Sequence, residues 1–337
     1  MLPEYIREVL SKFLYKLYYC FVRRLFSWSS SLVLKYKKFL VVIFLIWGFW
    51  TFGLGLLGGL FLTKGGLDIL PEIKNEDRVL ILAPHIDDET IGAGGLIQRA
   101  LGNKAKVKVV YFTNGDDNLL SAVEEERKTS VSSDEFITLG ETRMQEGGAA
   151  MKILGLGNED LIFLGYPDRG LLPMLGKYYT APFTSRGTKF NHSPYRDTYK
   201  LEELYTGENL QTDLQEIVNS FKPTIIIVSH PRDGHPDHRA VFQYLERVLN
   251  GKHQGIRVFA YLVHFSLYPP EKKLQKNLFL FPPKRLFTKV GWFSLELSET
   301  EENKKLDVIG QYKSQKSPKF YDFLDCFVKR NEIFEEF

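Results

Sequence analysis

Short apolar runs alternate with amphipathic segments along most of the chain. Runs rich in branched aliphatic and aromatic residues predict buried strands at 79–83, 107–112, 161–164, 224–229, 257–263 and 292–297. Segments with helical character lie between them, at 92–101, 141–154, 210–221, 239–249 and 299–313. Strands that alternate with helices predict an α/β fold, a Rossmann-like three-layer sandwich with a mainly parallel sheet.

An uncharged stretch of 24 residues, 39–62, precedes this pattern. At about 1.5 Å per residue it is long enough to cross a hydrocarbon core of about 30 Å, so we expect one transmembrane helix. A cleaved signal peptide is the main alternative, but its apolar region extends over only about 7–15 residues. Residues 1–38 contain eight Lys or Arg against two acids. They predict a basic, aromatic, membrane-proximal leader, with a poorly ordered leader as the alternative.

The charge bias across the uncharged stretch predicts an orientation. Basic residues dominate before it, whereas acids outnumber bases just after it. The positive-inside rule therefore predicts a cytoplasmic N-terminus and an extracytoplasmic remainder, in a single-pass membrane protein. The rule is statistical, so the opposite orientation stays open. The segments expected after the span are a linker at 63–77, a domain at 78–320 and a C-terminal tail at 321–337.

Composition limits the function classes. The net charge of +3 is too small to indicate nucleic acid as a partner, and the hydrophobic fraction of 44% is that of a globular protein. Cys20 and Cys326 lie at opposite ends of the chain, so they predict no disulfide framework and no cysteine metal site. Residues 171–207 are irregular and rich in Tyr, Pro, Thr and Gly, which favours a binding loop.

Polar side chains follow two of the predicted strands where those strands end. They are His85, Asp87, Asp88 and Glu89 after the first strand, and His230, Asp233, His235, Asp237 and His238 after the strand at 224–229. Open α/β sheets bind ligands at this edge, and neighbouring buried carboxylates require a positive partner. A helix cap and a surface histidine pair are the alternatives. Both motifs at strand ends favour a metal site with nitrogen and oxygen ligands.

The motifs also resemble those of a known family. Ala-Pro-His-Ile-Asp-Asp-Glu at 83–89 and His-Pro-Asp-His at 235–238 are similar to motifs of the PIG-L/LmbE-like family of zinc-dependent N-acetylglucosamine deacetylases. The resemblance extends from about residue 78 to 315 and includes segments 140–146, 164–168 and 312–315. Ile86 departs from it, since the family usually has proline there. The departure affects the expected loop geometry more than the chemistry.

The resemblance implies roles for five residues. It implies that His85, Asp88 and His238 hold Zn²⁺, although Fe²⁺ or Mn²⁺ suits the same donors. It implies that Asp87 is the general base for a metal-activated water. His235 is then expected to stabilise the oxyanion or to protonate the leaving amine.

Weaker assignments concern the surrounding polar residues. Arg143 is the expected substrate contact, with an exposed arginine paired to Glu146 as the alternative. Asp168 is expected to bind sugar hydroxyls or to be a turn residue. Asp237 is expected to orient a ligand imidazole, and Glu89 to do the same or to cap a helix. Asn114 is a weaker contact candidate, His230 and Arg232 have no assigned role, and the isolated His192, His253 and His264 are expected to be ordinary surface or core residues.

These expectations combine into one function. The chain is expected to be a membrane-anchored, metal-dependent hydrolase that removes the acetyl group from an N-acetylated amino-sugar conjugate, either lipid-linked or part of an envelope glycan. Two alternatives stay open: an inactive glycan-binding protein on the same fold, and a metallohydrolase for another amide or ester. The sequence does not indicate an oligomeric state.

Overall fold

The structure, a computed structural model, describes residues 67–117, 131–253, 255–271, 273–286, 291–316 and 323–337. The predicted leader at 1–38 and the predicted span at 39–62 lie outside the described residues. Within those described ranges, no helix is both long enough and apolar enough to cross a membrane.

An eight-stranded sheet forms the centre of the described chain. Its strands are β1 Asp68–Ile69, β2 Arg78–Ala83, β3 Lys106–Thr113, β4 Leu161–Tyr166, β5 Ile225–Ser229, β6 Arg257–Tyr261, β7 Trp292–Glu296 and β8 Asn331–Glu336. Their order across the sheet is β1-β7-β8-β6-β5-β2-β3-β4. Neighbours are parallel except where β8 pairs with β6 and β7. The structure thus agrees with the predicted mainly parallel sheet.

Helices cover both faces of the sheet. They are α1 Asp88–Gly102, α2 Ser133–Leu154, α3 Leu171–Met174, α4 Gly207–Phe221, α5 Pro236–Leu249 and α6 Glu299–Ile309. Because successive strand residues point to opposite faces, Val79 and Ile81 of β2 join one apolar core, while Leu80 and Leu82 join the other. The first core contains buried residues of α1, α2 and α6, and the second contains those of α3, α4 and α5. The three-layer prediction is confirmed.

Two helices begin earlier than the hydrophobic pattern predicts. The first starts at Asp88 rather than at residue 92, so two acids occupy its first turn, where the helix dipole favours them. α2 starts at Ser133 rather than at residue 141. Its start is a capping box, in which the Ser132 side chain accepts from the Glu135 N–H and the Glu135 carboxylate accepts from the Ser132 N–H.

The structure differs from the expected domain limits at both ends of the domain. The segment expected as a linker contributes β1, and its Leu70 and Ile73 are buried. The segment expected as a tail contains β8, with Ile333 and Phe334 buried in the core. Both segments are therefore parts of the folded unit, which begins at Leu67.

The strand order places the site. β6, β5 and β2 are adjacent and parallel, so their carboxyl ends lie side by side at one edge of the sheet. The loops after these three strands, and the start of α5 that follows β5, contain all the histidines of the two motifs, together with His264. The sheet therefore brings together segments that are more than a hundred residues apart in sequence.

Candidate metal centre

The loop after β2 holds its acids in an unusual backbone conformation. Asp87 has a φ of 137°, which a residue with a Cβ adopts at a cost of about 1–3 kcal/mol. The Glu89 carboxylate accepts from the Asp87 N–H at 3.0 Å, and the hydroxyls of Thr90 and Tyr312 donate to its other oxygen. Glu89 is fully buried. Its hydrogen bonds show that it fixes the loop around Asp87.

Ile86 is a core residue of this loop. Its side chain is fully buried and packs so closely on α2 that a Cβ at Gly147 would lie 2.7 Å from its Cγ2. Its carbonyl accepts from the guanidinium of Arg143 at 2.6 Å. An aliphatic side chain is therefore accommodated where proline was expected.

Asp88 is the meeting point of the two motifs. Its Oδ2 lies 3.2 Å from Nδ1 of His85 and 3.1 Å from Nε2 of His238. Two ligand atoms on one tetrahedral zinc, each about 2.0–2.1 Å from it, are roughly 3.3 Å apart. Both ring nitrogens of His238 are buried and make no hydrogen bond of acceptable geometry. The donor set and this orphaned imidazole fit a divalent metal ion.

Several ligand combinations are available within the cluster. Ligand atoms within 4.8 Å of one another form three overlapping groups: His85, His235 and His238; Asp88, His238 and His264; and His85, Asp168, His235 and Asp237. Each group shares a member with the predicted set. None of these three groups contains His85, Asp88 and His238 together, so the choice of those three residues as ligands stays a prediction.

Asp233 lies beside the ring of His238. Its Oδ2 lies 3.4 Å from Nδ1 of His238 and accepts from the backbone N–H groups of Val263 and His264 at 3.0 and 2.9 Å. Its other oxygen accepts from the His235 N–H at 2.8 Å. This carboxylate thus ties the loops after β5 and β6 together behind a metal-ligand candidate. The sequence motif contains Asp233 but predicts no role for it.

Two other carboxylates face the second nitrogen of His85. Oδ1 of Asp168 and Oδ2 of Asp237 lie 3.3 and 3.6 Å from its Nε2. Asp237 also accepts from the backbone N–H groups of Arg169 and Leu171 at 2.6 and 3.2 Å. Asp237 therefore lies near the imidazole of His85, and its expected role of orienting a ligand imidazole stays a prediction. Asp168 is a second neighbour of that ring, and its contact with sugar hydroxyls stays a prediction.

Arg143 is a buried member of the site. Its guanidinium donates to the carbonyls of Ile86 and Gly115 at 2.6 and 3.1 Å and lies 3.3 Å from Oδ2 of Asp87. The alternative of a surface pair with Glu146 is wrong, because that carboxylate accepts from the backbone and side chain of Ser314. The guanidinium fixes the side chain of Asp87, and its contact with substrate stays a prediction.

The local environment gives the two neighbouring aspartates very different pKa values. Burial raises the pKa of Asp87 to about 7, although the Arg143 guanidinium opposes this shift. Burial also acts to raise the pKa of Asp88, but the adjacent His238 outweighs it and holds that pKa well below its usual range. Asp87 is thus suited to exchange a proton near neutral pH, whereas Asp88 stays ionised.

The pKa values of His235 and His238 also differ strongly. Burial lowers the pKa of His238, but the charges of Asp88 and Asp233 outweigh it and raise the value to about 9. Burial lowers the pKa of His235 to about 2, and the neighbouring His85 and His238 add to this effect. His238 therefore carries a proton that a metal must displace, while His235 is neutral at physiological pH.

His264 belongs to the cluster, contrary to expectation. Its ring centroid lies 4.8 Å from that of His238, and its ring stacks on Phe323 at 5.3 Å. Burial lowers its pKa to about 4, and His238 contributes to this shift. The available signal was its position just past the end of a predicted strand, which is where His85 also lies.

The other candidates lie outside the cluster. His230 is buried. Its Nε2 lies 2.6 Å from a carboxylate oxygen of Glu335 in β8, and its ring stacks on Trp292 in β7, so it links the end of β5 to these two strands. Asn114 is buried and donates to the sulfur of Met144. Half-buried His192 and His253 belong to none of the metal-ligand groups, which fits the expectation that they are ordinary residues. Arg232 is exposed, and no role is assigned to it.

A cavity of about 320 Å³ opens onto the cluster. Its wall includes the side chains of His85, Asp87, Arg143, Asp168 and His235. Two larger cavities of about 670 and 530 Å³ in the described part of the chain contain no histidine. The smaller cavity is lined by the metal-ligand candidates and by acids and histidines whose pKa values are strongly shifted. We therefore assign the candidate active site to this cavity.

Comparison with known proteins gives consistent matches. The family model described as PIG-L, GlcNAc-PI de-N-acetylase, matches residues 80–249. A 1D-myo-inositol 2-acetamido-2-deoxy-alpha-D-glucopyranoside deacetylase of Kribbella flavida is 29% identical over 167 residues, 48% of this chain and 50% of that protein. The chain thus spans about half the length of this curated relative.

Solved structures share the fold. An N,N′-diacetylchitobiose deacetylase from Pyrococcus horikoshii matches with a TM-score of 0.51 at 17% identity, over 80% of this chain and 87% of that one. A zinc-inhibited form of a teicoplanin deacetylase matches with a TM-score of 0.50 at 14% identity, over 77% and 97%. At these identities the likeness concerns the fold.

Proposed function

Because the chain belongs to the PIG-L, GlcNAc-PI de-N-acetylase, family, we propose that it is a metal-dependent hydrolase. Its proposed substrate is an N-acetylated amino-sugar conjugate, from which it removes the acetyl group. The observation that carries the proposal is the approach of His85 and His238 to one oxygen of Asp88. Asp87 lies in the same cavity.

The proposed metal ligands are His85, Asp88 and His238. Zn²⁺ is the proposed ion, and Fe²⁺ and Mn²⁺ suit the same nitrogen and oxygen donors. When bound, such an ion supplies Lewis-acid activation of water and of the acetyl carbonyl. Oδ2 of Asp233 and Oδ2 of Asp237 lie 3.4 and 3.6 Å from the outward nitrogens of the two imidazoles, and their proposed role is to orient these rings.

Asp87 is the proposed general base. As the water oxygen bonds to the acetyl carbon, the Asp87 carboxylate takes the water proton, which a pKa of about 7 permits. The carbon–nitrogen bond then breaks, and the proton passes to the leaving amine, so the products are acetate and the free amino sugar. Arg143 keeps the carboxylate in place during the transfer.

His235 is the proposed oxyanion donor. Its Nδ1 accepts from the Asp237 N–H at 3.3 Å, so the proton of the neutral ring resides on Nε2. A neutral imidazole in the wall of the cavity has an N–H that would stabilise negative charge developing on the acetyl oxygen. Of the two roles that the resemblance implied, we propose this one rather than protonation of the amine.

Acetate release from a panel of N-acetylglucosaminyl conjugates tests the function. We expect Asp87→Asn to lower the rate about 10²–10⁴-fold while zinc content is unchanged. Asp307→Asn, at an exposed helix position, is the matched control and is expected to retain activity. An unchanged rate for Asp87→Asn would refute the assigned base. Absence of acetate from every conjugate, with zinc bound, would refute the deacetylase.

A membrane anchor at 39–62 is also proposed, with the N-terminus in the cytoplasm and the catalytic domain outside it. The uncharged run and the basic leader support it. The anchor brings the site to a lipid-linked or envelope substrate. We expect the full-length chain to stay in the membrane fraction after alkaline extraction, and an added protease to cut the domain in intact cells. Release by alkali would contradict the anchor, and protection from the protease would contradict the orientation.

A further inference from the structure

A break divides α1, the helix that begins with the acids of the site. Ala93 has φ −145° and ψ 17°, which are not helical values. The first segment, which carries Asp88, is therefore less than two turns long, and a second segment follows the break. A break of this kind frees backbone N–H and C=O groups, which must find other partners when they are buried.

A buried ion pair supplies those partners. The carboxylate of Glu332 in β8 accepts from the N–H groups of Gly95 and Leu96 at 2.7 and 2.9 Å. The ammonium of Lys305 in α6 donates to the carbonyl of Ile91 at 2.9 Å and lies 2.6 Å from Oε1 of Glu332. Both side chains of the pair are completely buried.

The glycine run after the acids makes room for this arrangement. A Cβ at Gly92 would lie 2.4 Å from Cδ2 of Tyr261. A Cβ at Gly95 would lie 2.4 Å from Cδ2 of Leu297 and 3.1 Å from the carboxyl carbon of Glu332. Glycine lets the β6 tyrosine and the β8 carboxylate approach the helix backbone at the break.

We propose that Lys305 and Glu332 are positioning residues for the metal site, and we name the pair the helix splint. The segment between Asp88 and Ala93 is too short to keep its direction as an isolated helix. The splint fixes both sides of the break against α6 and β8, and with them the direction in which the first turn presents Asp87 and Asp88. This inference rests on the proposed metal site.

The splint contributes direction more than stability. The cost of desolvating a buried ion pair largely offsets the attraction between its charges, so neutral replacements of similar size are often tolerated. Its geometry is specific, however, because two carboxylate oxygens bind two successive N–H groups. One ammonium bridges that carboxylate to the carbonyl of Ile91 on the other side of the break. A neutral pair of the same shape therefore separates folding from positioning.

Zinc affinity of the full-length protein, measured by chelator competition without substrate, tests the splint. The variants are Glu332→Gln and the neutral pair Lys305→Gln with Glu332→Gln. We expect zinc affinity to fall about 10–100-fold in both, while the neutral pair unfolds at nearly the wild-type temperature. Arg99→Gln is the matched control, because Arg99 ties α1 to Glu301 of α6 beyond the break. It is expected to retain full affinity.

Wild-type zinc affinity and turnover in the neutral pair would overturn the proposal. If the variants do not fold, hydrogen exchange of the unaltered protein decides, because coupling between two sites is reciprocal. Zinc is then expected to slow exchange at the amides of Gly95 and Leu96, and unchanged exchange at both would overturn the splint. None of these measurements uses a substrate except turnover, so absence of deacetylase activity would leave the zinc results interpretable.

Discussion

Replacing Arg143 by lysine tests how the base is held. Arg143 donates to two buried carbonyls and lies beside the Asp87 carboxylate, and its side chain is only 4% exposed. Lysine keeps the charge but not the planar fork, so at least one of the carbonyls, of Ile86 or Gly115, loses its donor. Each buried group left unsatisfied costs about 1–3 kcal/mol of folding stability. The loop should also lose its fixed geometry.

The expected result is a rate defect without metal loss. A displacement of about 1 Å at a catalytic group costs on the order of 10²-fold in rate, so we expect a drop of that size in kcat. Zinc content should be unchanged, because none of the proposed ligands is a hydrogen-bond partner of Arg143. Acetate release, metal analysis and urea unfolding measure the three quantities. Arg247→Lys, which affects one bond to the Leu175 carbonyl, is the control.

A second variant separates charge from geometry. The guanidinium lowers the pKa of Asp87 against the larger effect of burial. Arg143→Met removes that charge, so the pKa of Asp87 should rise and the acidic limb of kcat/KM should move to higher pH. In Arg143→Lys the limb should stay near the wild-type position. If kcat of the Arg143→Lys variant is within threefold of the wild-type value at equal zinc content, the positioning role of Arg143 is refuted.

Three further outcomes follow from the site. Tyr312→Phe removes a donor to Glu89 and is expected to cost about 1–3 kcal/mol in urea unfolding; an unchanged midpoint would contradict this. The carboxylate of buried Asp116 accepts from the Tyr195 hydroxyl at 2.6 Å. Burial raises the pKa of Asp116 to about 7 although this hydrogen bond opposes the shift, so ionisation of Asp116 costs folding stability as pH rises towards 7. Tyr195→Phe should therefore lose more stability at pH 8 than at pH 5, and equal losses would refute the pairing. Because the pKa of His238 is about 9, zinc binding at pH 7.5 should release at least one proton in calorimetry across buffers, and no release would contradict its role as ligand.

The sequence was sufficient where local signals coincide with the sheet edge. Apolar runs predicted β2 and β5, and the parallel order of these strands places their carboxyl ends, and the motifs that follow them, at one edge of the sheet. The pairing of His85 and His238 with Asp88 was implied by the family resemblance. Pro236 is the first residue of α5, as its fixed φ suggests. The capping box at Ser132 was also readable and would have placed the start of α2.

The sequence was insufficient where partners are distant. β8 reads Asn-Glu-Ile-Phe-Glu-Glu, which resembles a charged tail, because its buried acids depend on partners from elsewhere. Glu332 pairs with Lys305 of α6, and Glu335 pairs with His230 after β5. His264 is a single histidine with no motif around it. Only the order of strands reveals that its loop lies beside the loop that contains His235.

The position of β8 has a consequence for how the protein is made. This strand follows the other seven described strands in sequence, yet it lies between β6 and β7, and those two strands pair through it alone. On a growing chain, β2 to β6 emerge early enough to pair with one another, whereas β1 pairs only with β7, and both of these strands connect to the rest of the sheet through β8. Until β8 emerges, one edge of β6 is unpaired and open to other chains. The sheet is thus completed only after β8 has emerged, and the interval before that is when the nascent domain is most exposed to aggregation.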